Sequence, residues 1–283
     1  MNLTPMGELL KKAASEGYAV PAFCVWDAET IELVLKTADR VKAPVILMAG
    51  PAEFSVLSPA QLSQVASQSM RRHSVPAALH LDHGDSVEVA EACLAAGFTS
   101  VMLDYSTRPY EENASAMKQV VKMAHPLGVT VEGELGVIGR ADGTSLEGGK
   151  TSSLTDPGMA RDFVRETGVD ALAISIGNAH GAYTRLPNLD FERLAELHSN
   201  VPVPLVLHGG SGTPAADLRR AISLGIAKVN VATDLVAKIR GTLMEQWNAG
   251  KNLWVPIALG AAIEATAPVV EKWFNNVGAS GRA

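Results

Sequence analysis

The feature that most restricts this chain is one repeating grammar: eight short, almost purely apolar runs, each followed by a segment patterned as a helix. The runs are residues 19–25, 44–48, 76–81, 100–103, 129–132, 171–176, 204–207 and 227–231. They are rich in Val, Ile, Leu and Ala and are nearly continuous, which is how strands buried on both faces of a parallel sheet read. Between the first two, residues 28–40 place Ile31, Val34, Leu35 and Ala38 three and four apart, behind Asp27 as a cap. Residues 86–96, 110–125, 157–167, 190–198 and 214–224 carry the same pattern, and Gly97, Gly128, Gly168 and Gly225 stand where helices would end. Eight strand–helix units in roughly 230 residues predict an α/β fold of the (β/α)8 TIM-barrel type. An open doubly wound sheet would want a glycine-rich turn after its first strand, and Phe23-Cys24-Val25-Trp26-Asp27 has no glycine. Residues 1–283 are therefore expected to form one barrel domain, with extra C-terminal helices at 247–254 and 261–276 at a subunit contact.

Composition narrows the setting. No apolar run reaches the roughly 18 residues of a membrane span. Met1-Asn2-Leu3-Thr4-Pro5 has neither a basic start nor an apolar core, so no signal peptide is expected. Lys and Arg are scattered and the net charge is −6, which excludes a basic nucleic-acid footprint. Two cysteines, Cys24 and Cys93, are too few for a disulfide framework and fit a reducing cytoplasm.

In barrels of this type the chemistry collects at the C-terminal ends of the strands, and the polar residues of this chain fall there. Strand three runs into His80-Leu81-Asp82-His83-Gly84-Asp85, strand four ends in Asp104, and strand five in Glu132-Gly133-Glu134. Strand six is followed by Gly177-Asn178-Ala179-His180-Gly181, strand seven by His208-Gly209-Gly210-Ser211-Gly212, and strand eight ends in Asn230-Val231-Ala232-Thr233-Asp234. Of the seven histidines, His73, His125 and His198 sit at helix ends or loops and are expected to face solvent. A lone rim histidine reads as an ordinary hydrogen-bonded residue. Three of them (His83, His180 and His208), each after a different strand and each followed by glycine, read as imidazoles converging on one divalent metal with an open position. The glycine-rich loops after strands seven and eight suit a phosphate, which barrels often hold there with backbone N–H groups and a helix N-terminus. Asp82 shares a strand face with His80 and adjoins His83, which makes it the candidate proton-transfer group. Asp104, Glu132 and Glu134 read either as cation holders and ligand orienters or as structural ion-pair partners. Residues 136–156 carry five glycines and little apolar pattern, together with Arg140, Asp142, Glu147 and Lys150. A stretch of that length suggests a lid bearing an acid/base group, or simply a long loop.

With these residues in view, the chain resembles the class II, metal-dependent ketose-bisphosphate aldolases, and within them the short branch that includes tagatose-bisphosphate aldolase. The resemblance runs from Gly17-Tyr18-Ala19-Val20-Pro21-Ala22-Phe23 to Asn230-Val231-Ala232-Thr233. It implies reversible cleavage of a phosphorylated ketose to dihydroxyacetone phosphate and an aldehyde. It further implies Zn2+ on His83, His180 and His208, with Asp104 and Glu134 at an alternative metal position and a monovalent cation (Na+ or K+) near the phosphate. Asp82 would exchange the proton of the C4 hydroxyl. Gly181, Gly209, Gly210, Ser211, Asn230, Val231, Ala232 and Thr233 would hold the dihydroxyacetone phosphate half, and members assemble as homodimers or homotetramers. Such a mechanism is physically coherent, because breaking the C3–C4 bond leaves charge on an enediolate that a Lewis acid can take up.

The departures from the family pattern cluster away from these residues. Cys24 stands where asparagine is usual, Ala49-Gly50-Pro51-Ala52-Glu53 replaces a strand-two loop with hydroxyl residues, and Asp142 stands where the mobile loop usually offers a glutamate. Two readings follow: an aldolase whose aldehyde half is unphosphorylated or otherwise unusual, since Glu53 would repel a second phosphate, or an ordinary sugar-bisphosphate aldolase with neutral changes. Three rivals lie outside the family. A Schiff-base aldolase would need an inward lysine, for which Lys228 is the candidate. A zinc hydrolase would be expected to open with His-x-His on strand one. A non-catalytic sugar-phosphate-binding subunit would have no use for Asp82.

Overall fold

A computed structural model describes residues 3–141, 153–181, 183 and 186–283. Its centre is a closed barrel of eight parallel strands paired in sequence order. They are β1 Val20–Cys24, β2 Val45–Ala49, β3 Ala77–Gly84, β4 Ser100–Leu103, β5 Thr130–Leu135, β6 Ala171–Ile174, β7 Leu205–Leu207 and β8 Ile226–Val231. Helix α1, Met6–Glu16, precedes the barrel. The helices α2 Ala28–Val41, α3 Pro59–Met70, α4 Val87–Ala96, α5 Tyr110–Ala124, α6 Pro157–Thr167, α7 Phe191–Asn200 and α8 Ala215–Ser223 connect successive strands. After β8 come α9 Thr233–Asn248 and α10 Val255–Asn276. The predicted TIM barrel is therefore present.

The apolar runs became strands because each side chain in them is covered from one side or the other. Every residue of β1, β2 and β4 to β8 is buried, half against the helices and half against the barrel interior. Helix α2 starts as its sequence predicts: Asp27 accepts from Thr30 N–H at 2.8 Å, and the Thr30 side chain returns to the Asp27 backbone. Strand β6 stops at Ile174 instead of continuing to residue 176. Its next two N–H groups turn to side chains, Ser175 to Thr155 Oγ1 at 2.8 Å and Ile176 to Asn178 Oδ1 at 2.9 Å. Helix α1 plugs the N-terminal end of the barrel with Met6, Leu9, Leu10 and Ala13, and Gly7 N–H reaches Thr130 Oγ1 at 2.8 Å.

Two expectations need correction. Residues 247–254 are not an extra helix; they are the end of α9 and the link to α10, which starts at Val255, before residue 261, with Pro256 in its first turn. Pro fits there because the first helical N–H groups have no partner within the helix. Arg282 pairs with Glu16 at 3.3 Å and lies 5.6 Å from the Tyr18 ring, at the end of the barrel where β1 begins. His73 is not solvated: its ring is held between Asp39 Oδ2 at 2.5 Å and Glu32 Oε2 at 3.3 Å, whereas His125 and His198 are exposed as expected. No helix among the described residues is long and apolar enough to cross a membrane.

Candidate active site

In a regular strand two successive side chains point to opposite faces, yet Asp82 and His83 both border one cavity at the C-terminal rim. The reason is a bulge. The pairing of β3 with β4 shifts register between Leu81 and Gly84, and His83 takes a left-handed backbone with φ of 45°. Bulges re-aim side chains in this way, and a non-glycine residue in that conformation is a strained position typical of functional sites.

The re-aimed His83 meets His180 and His208. Their ring centroids lie 4.7 to 5.7 Å apart, and one nitrogen of each falls within 4.8 Å of the others. Two of the rings are oriented from behind by carboxylates. His83 Nδ1–H donates to Asp104 Oδ2 at 2.8 Å, and His208 Nε2–H donates to Glu132 Oε1 at 2.9 Å. That leaves His83 Nε2 and His208 Nδ1 face to face at 2.9 Å. At that distance the two share one proton, His83 Nε2–H donating to the lone pair of His208 Nδ1. The titration follows the same logic. Burial alone would depress His83, but Asp82, the bond to Asp104 and Glu134 overcome it and push His83 up to about 10. Burial and the neighbouring His83 hold His180 down at about 4 and His208 well below its ordinary range.

A second group of ligand atoms shares His83 and adds Asp104 and Glu134. Burial and Asp104 push the Glu134 carboxyl well above its ordinary range, and its buried Oε2 has no hydrogen-bond partner among the described residues, 3.7 Å from His208 Nδ1. Imidazoles turned by carboxylates, together with an orphaned carboxylate oxygen beside them, are a donor set that fits a divalent ion such as zinc. Asp82 faces the same cluster. Burial opposes its charge, yet His83, His208 and Lys228 together hold its carboxyl below the usual range, and Asn230 Nδ2 donates to its Oδ1 at 2.9 Å.

The glycine loops pack by backbone contact. Gly209 has φ of 66°, and a Cβ there would run into the Ala179 carbonyl, next to His180. Tyr183 ties the same two loops together, accepting from Ala179 N–H at 2.8 Å and donating to the Gly209 carbonyl at 3.2 Å. Ser211 Oγ accepts from Asp234 N–H at 3.1 Å, so the loop after β7 caps helix α9. Gly181, Gly209, Ser211, Asn230, Ala232 and Thr233 all line the cavity. Gly210 and Val231 are not in its wall: Gly210 N–H is committed to the Asn230 carbonyl at 3.0 Å, and the Val231 side chain is buried.

The cavity has a volume of about 390 Å³. Met48, Thr107 and residues 137–140 belong to it, as do Gly50 and Glu53. Met48 and Thr107 carried no sequence signal, whereas the segment 137–140 opens the 136–156 stretch whose composition suggests a lid or a long loop. His180 depends on this segment, since its N–H bonds to the Gly139 carbonyl at 2.8 Å and its carbonyl accepts from Ala141 N–H at 2.7 Å. Gly50 is required because a side chain there would strike the Asp82 carbonyl. Glu53 Oε2 accepts from Gly50 N–H at 2.8 Å. The Cys24 thiol bonds to the same carboxylate, and its pKa is pushed well up by burial, Glu53 and Asp82. Asp142, the expected lid residue, lies outside the described residues, as do Glu147 and Lys150. Lys228 is fully buried below the rim and does not line the cavity, which removes the geometry a Schiff-base lysine needs.

The rim thus joins side chains that could hold a divalent ion, an adjacent carboxyl held below its usual range and two glycine-rich loops around one cavity, an arrangement suited to polarising an oxygen and moving a proton beside it. The model of the class-II fructose-bisphosphate aldolase family matches residues 4–282, and the chain belongs to that family, which makes it a carbon–carbon lyase of the aldolase type. The YdjI aldolase of Escherichia coli K12 is 34% identical over 100% of both chains, with a TM-score of 0.88. The fructose-bisphosphate aldolase of Campylobacter jejuni is 23% identical over 98% of this chain and 95% of its own, with a TM-score of 0.83, and shares the fold.

Proposed function

We propose that the protein reversibly cleaves a ketose 1-phosphate to dihydroxyacetone phosphate and an aldehyde that carries no phosphate. The observation that carries this reading is that Asp82, the three histidines, the glycine loops and Glu53 border one cavity. His83, His180 and His208 would hold a zinc ion, which when bound supplies the Lewis acidity that takes up charge developing on the substrate oxygens as the carbon–carbon bond breaks. Asp104 and Glu132 keep two of those rings turned toward it. Asp82, ionised and fixed by Asn230, accepts the C4 hydroxyl proton during cleavage and returns it during condensation. Gly181, Gly209, Ser211, Ala232 and Thr233, the last of them the first residue of α9, hold the phosphate. That end of a helix offers unpaired N–H groups and a favourable dipole, and anchoring there fixes the reacting carbons relative to Asp82. Gly210 and Val231 act only by setting the backbone of these loops.

Glu53 supports the aldehyde assignment. Anchored by Gly50 and Cys24, it places a carboxylate in the wall beside Asp82, where a hydroxyl is welcome and a second phosphate is repelled. Arg140 in the same wall favours a second reading, a fructose or tagatose bisphosphate. The two are separated by coupled assay of dihydroxyacetone phosphate release from ketose 1-phosphates and from both bisphosphates. Faster cleavage of a ketose 1-phosphate is expected, and preference for a bisphosphate would overturn the assignment. Self-association in the cytoplasm belongs to the same proposal, supported by the exposed apolar stretch that includes Leu253 and Trp254, each 72% exposed, with Val255 and Ile257 beside them.

A further inference from the structure

One layer below the three histidines, the barrel interior holds a polar cluster of which only Glu132 has so far been given a part. Glu132 on β5, Lys228 on β8 and His80 on β3 are each 0% exposed, and none of them lines the cavity. The hydrogen bonds of this cluster can run in one direction only. An ammonium group donates and never accepts, so Lys228 Nζ donates to Glu132 Oε2 at 2.7 Å and to His80 Nε2 at 3.1 Å. His80 therefore carries its proton on Nδ1 and donates it to Ser100 Oγ at 2.8 Å, and the Ser100 hydroxyl turns to Met6 Sδ of α1 at 3.5 Å. The remaining Glu132 oxygen, Oε1, is left to accept from His208 Nε2–H at 2.9 Å. With its proton held there, His208 presents a lone pair on Nδ1, the atom that faces His83.

We propose that Lys228 is a positioning residue of the metal centre: by occupying the far oxygen of Glu132 and balancing its charge, it holds that carboxylate against His208 and thereby selects Nδ1 as the nitrogen offered to the metal. This rests on the reading of His208 as a metal ligand. A buried ion pair is on average no more stabilising than apolar side chains of the same size, and β2, β6 and β7 of the same barrel are wholly apolar. What an apolar layer could not do is determine which nitrogen of one imidazole carries the proton. Metal-bound histidines depend on such outer partners for tautomer and orientation.

Lys228→Met alone strands a buried carboxylate and is expected to fold poorly. Lys228→Met combined with Glu132→Gln is charge-neutral, keeps both volumes, and is the variant to load. Its zinc affinity, from competition with a chromogenic chelator, is expected to fall about 10- to 100-fold, with an altered visible spectrum of the cobalt(II) form. A folded double variant with the parent's zinc affinity and cobalt spectrum would overturn the proposal. Nitrogen-15 NMR of the histidine rings in the metal-free parent needs no variant: His208 protonated on Nε2 is expected, and a proton resident on Nδ1 instead would refute the assignment. A parent that binds no zinc would overturn the ligand reading itself, an outcome distinct from a parent and double variant that bind it equally.

Discussion

Gly209→Ala tests how far the proposed metal centre depends on backbone packing. Two costs are legible in the structure. Gly209 has φ of 66°, a conformation that an L-residue adopts at a cost of about 1–2 kcal/mol. The new methyl would also strike the Ala179 carbonyl, with the Ala179 carbon only 2.6 Å away and His180 N at 3.3 Å. Carbon–carbon contacts settle near 3.5–4.0 Å, so the loops after β6 and β7 must part by about 1 Å. His180 follows Ala179 directly and moves with it, whereas metal–ligand distances tolerate only about 0.2 Å. A misplacement of about 1 Å is expected to cost on the order of 100-fold in kcat/KM, with weaker zinc retention. The assay is the initial rate of dihydroxyacetone phosphate release at limiting and saturating zinc, alongside a thermal melt. Gly17→Ala is the control: Gly17 has a similar φ of 71° at the other end of the barrel, but nothing lies within 4 Å of the added carbon. It should lower the Tm slightly and leave the rate unchanged. Parental rate and zinc affinity in Gly209→Ala would refute the reasoning, and equal losses in both variants would assign the effect to backbone strain instead of the collision.

Asp82→Asn keeps a carbonyl oxygen for Asn230 but no base, so kcat should fall by about 10²–10⁴ while equilibrium binding of dihydroxyacetone phosphate and zinc content persist; a loss under tenfold would contradict its role. Glu53→Gln retains an acceptor for Gly50 N–H and removes one charge from the cavity wall, so kcat/KM for a bisphosphate relative to a ketose 1-phosphate should rise about tenfold or more; an unmoved ratio would mean Glu53 does not select the substrate. Burial opposes ionisation of Asp39, but bonds from Ser74 N–H and from His73 lower its pKa. A depressed folded pKa adds stability that is complete above the unfolded value near 3.9 and is lost as pH falls through the folded one. The Tm advantage of the parent over Asp39→Asn should therefore be full at neutral pH and shrink below about pH 4; an equal gap at both would refute the linkage.

The barrel was legible because its strands are buried on both faces, so their apolar runs carry no alternation that could be mistaken for another architecture. The metal-ligand candidates were legible for a related reason: polar residues in such a barrel have few places to go other than the strand ends, and His83, His180 and His208 stand at three of them. What could not be read is how Asp82 and His83, neighbours in sequence, face the same cavity. That depends on a register shift against β4, where Gly84 lets the strand pass the Met102 carbonyl, which would lie 2.5 Å from a Cβ. Such a shift is a property of two strands together and leaves no mark on either alone. Lys228 shows the same limit from the other side. Its position on β8, two residues before Asn230, made it a reasonable Schiff-base candidate. Only depth within the barrel, and the Glu132 and His80 groups that the closure of the sheet brings against it, turn it into a buried partner of the rim. Cys24 and Glu53, separated by 29 positions, likewise meet only because β1 and β2 pair in register and end together.

The central claim is that the three-histidine rim makes this barrel a metal-dependent aldolase acting on a ketose phosphate. The most direct test is to strip the purified protein with a strong chelator, then follow dihydroxyacetone phosphate release from a ketose 1-phosphate before and after zinc is restored, with His208→Ala alongside. Cleavage that vanishes on stripping, returns with zinc and is absent from His208→Ala at every zinc concentration is the predicted result. Cleavage that survives stripping, or that His208→Ala retains, would contradict the account.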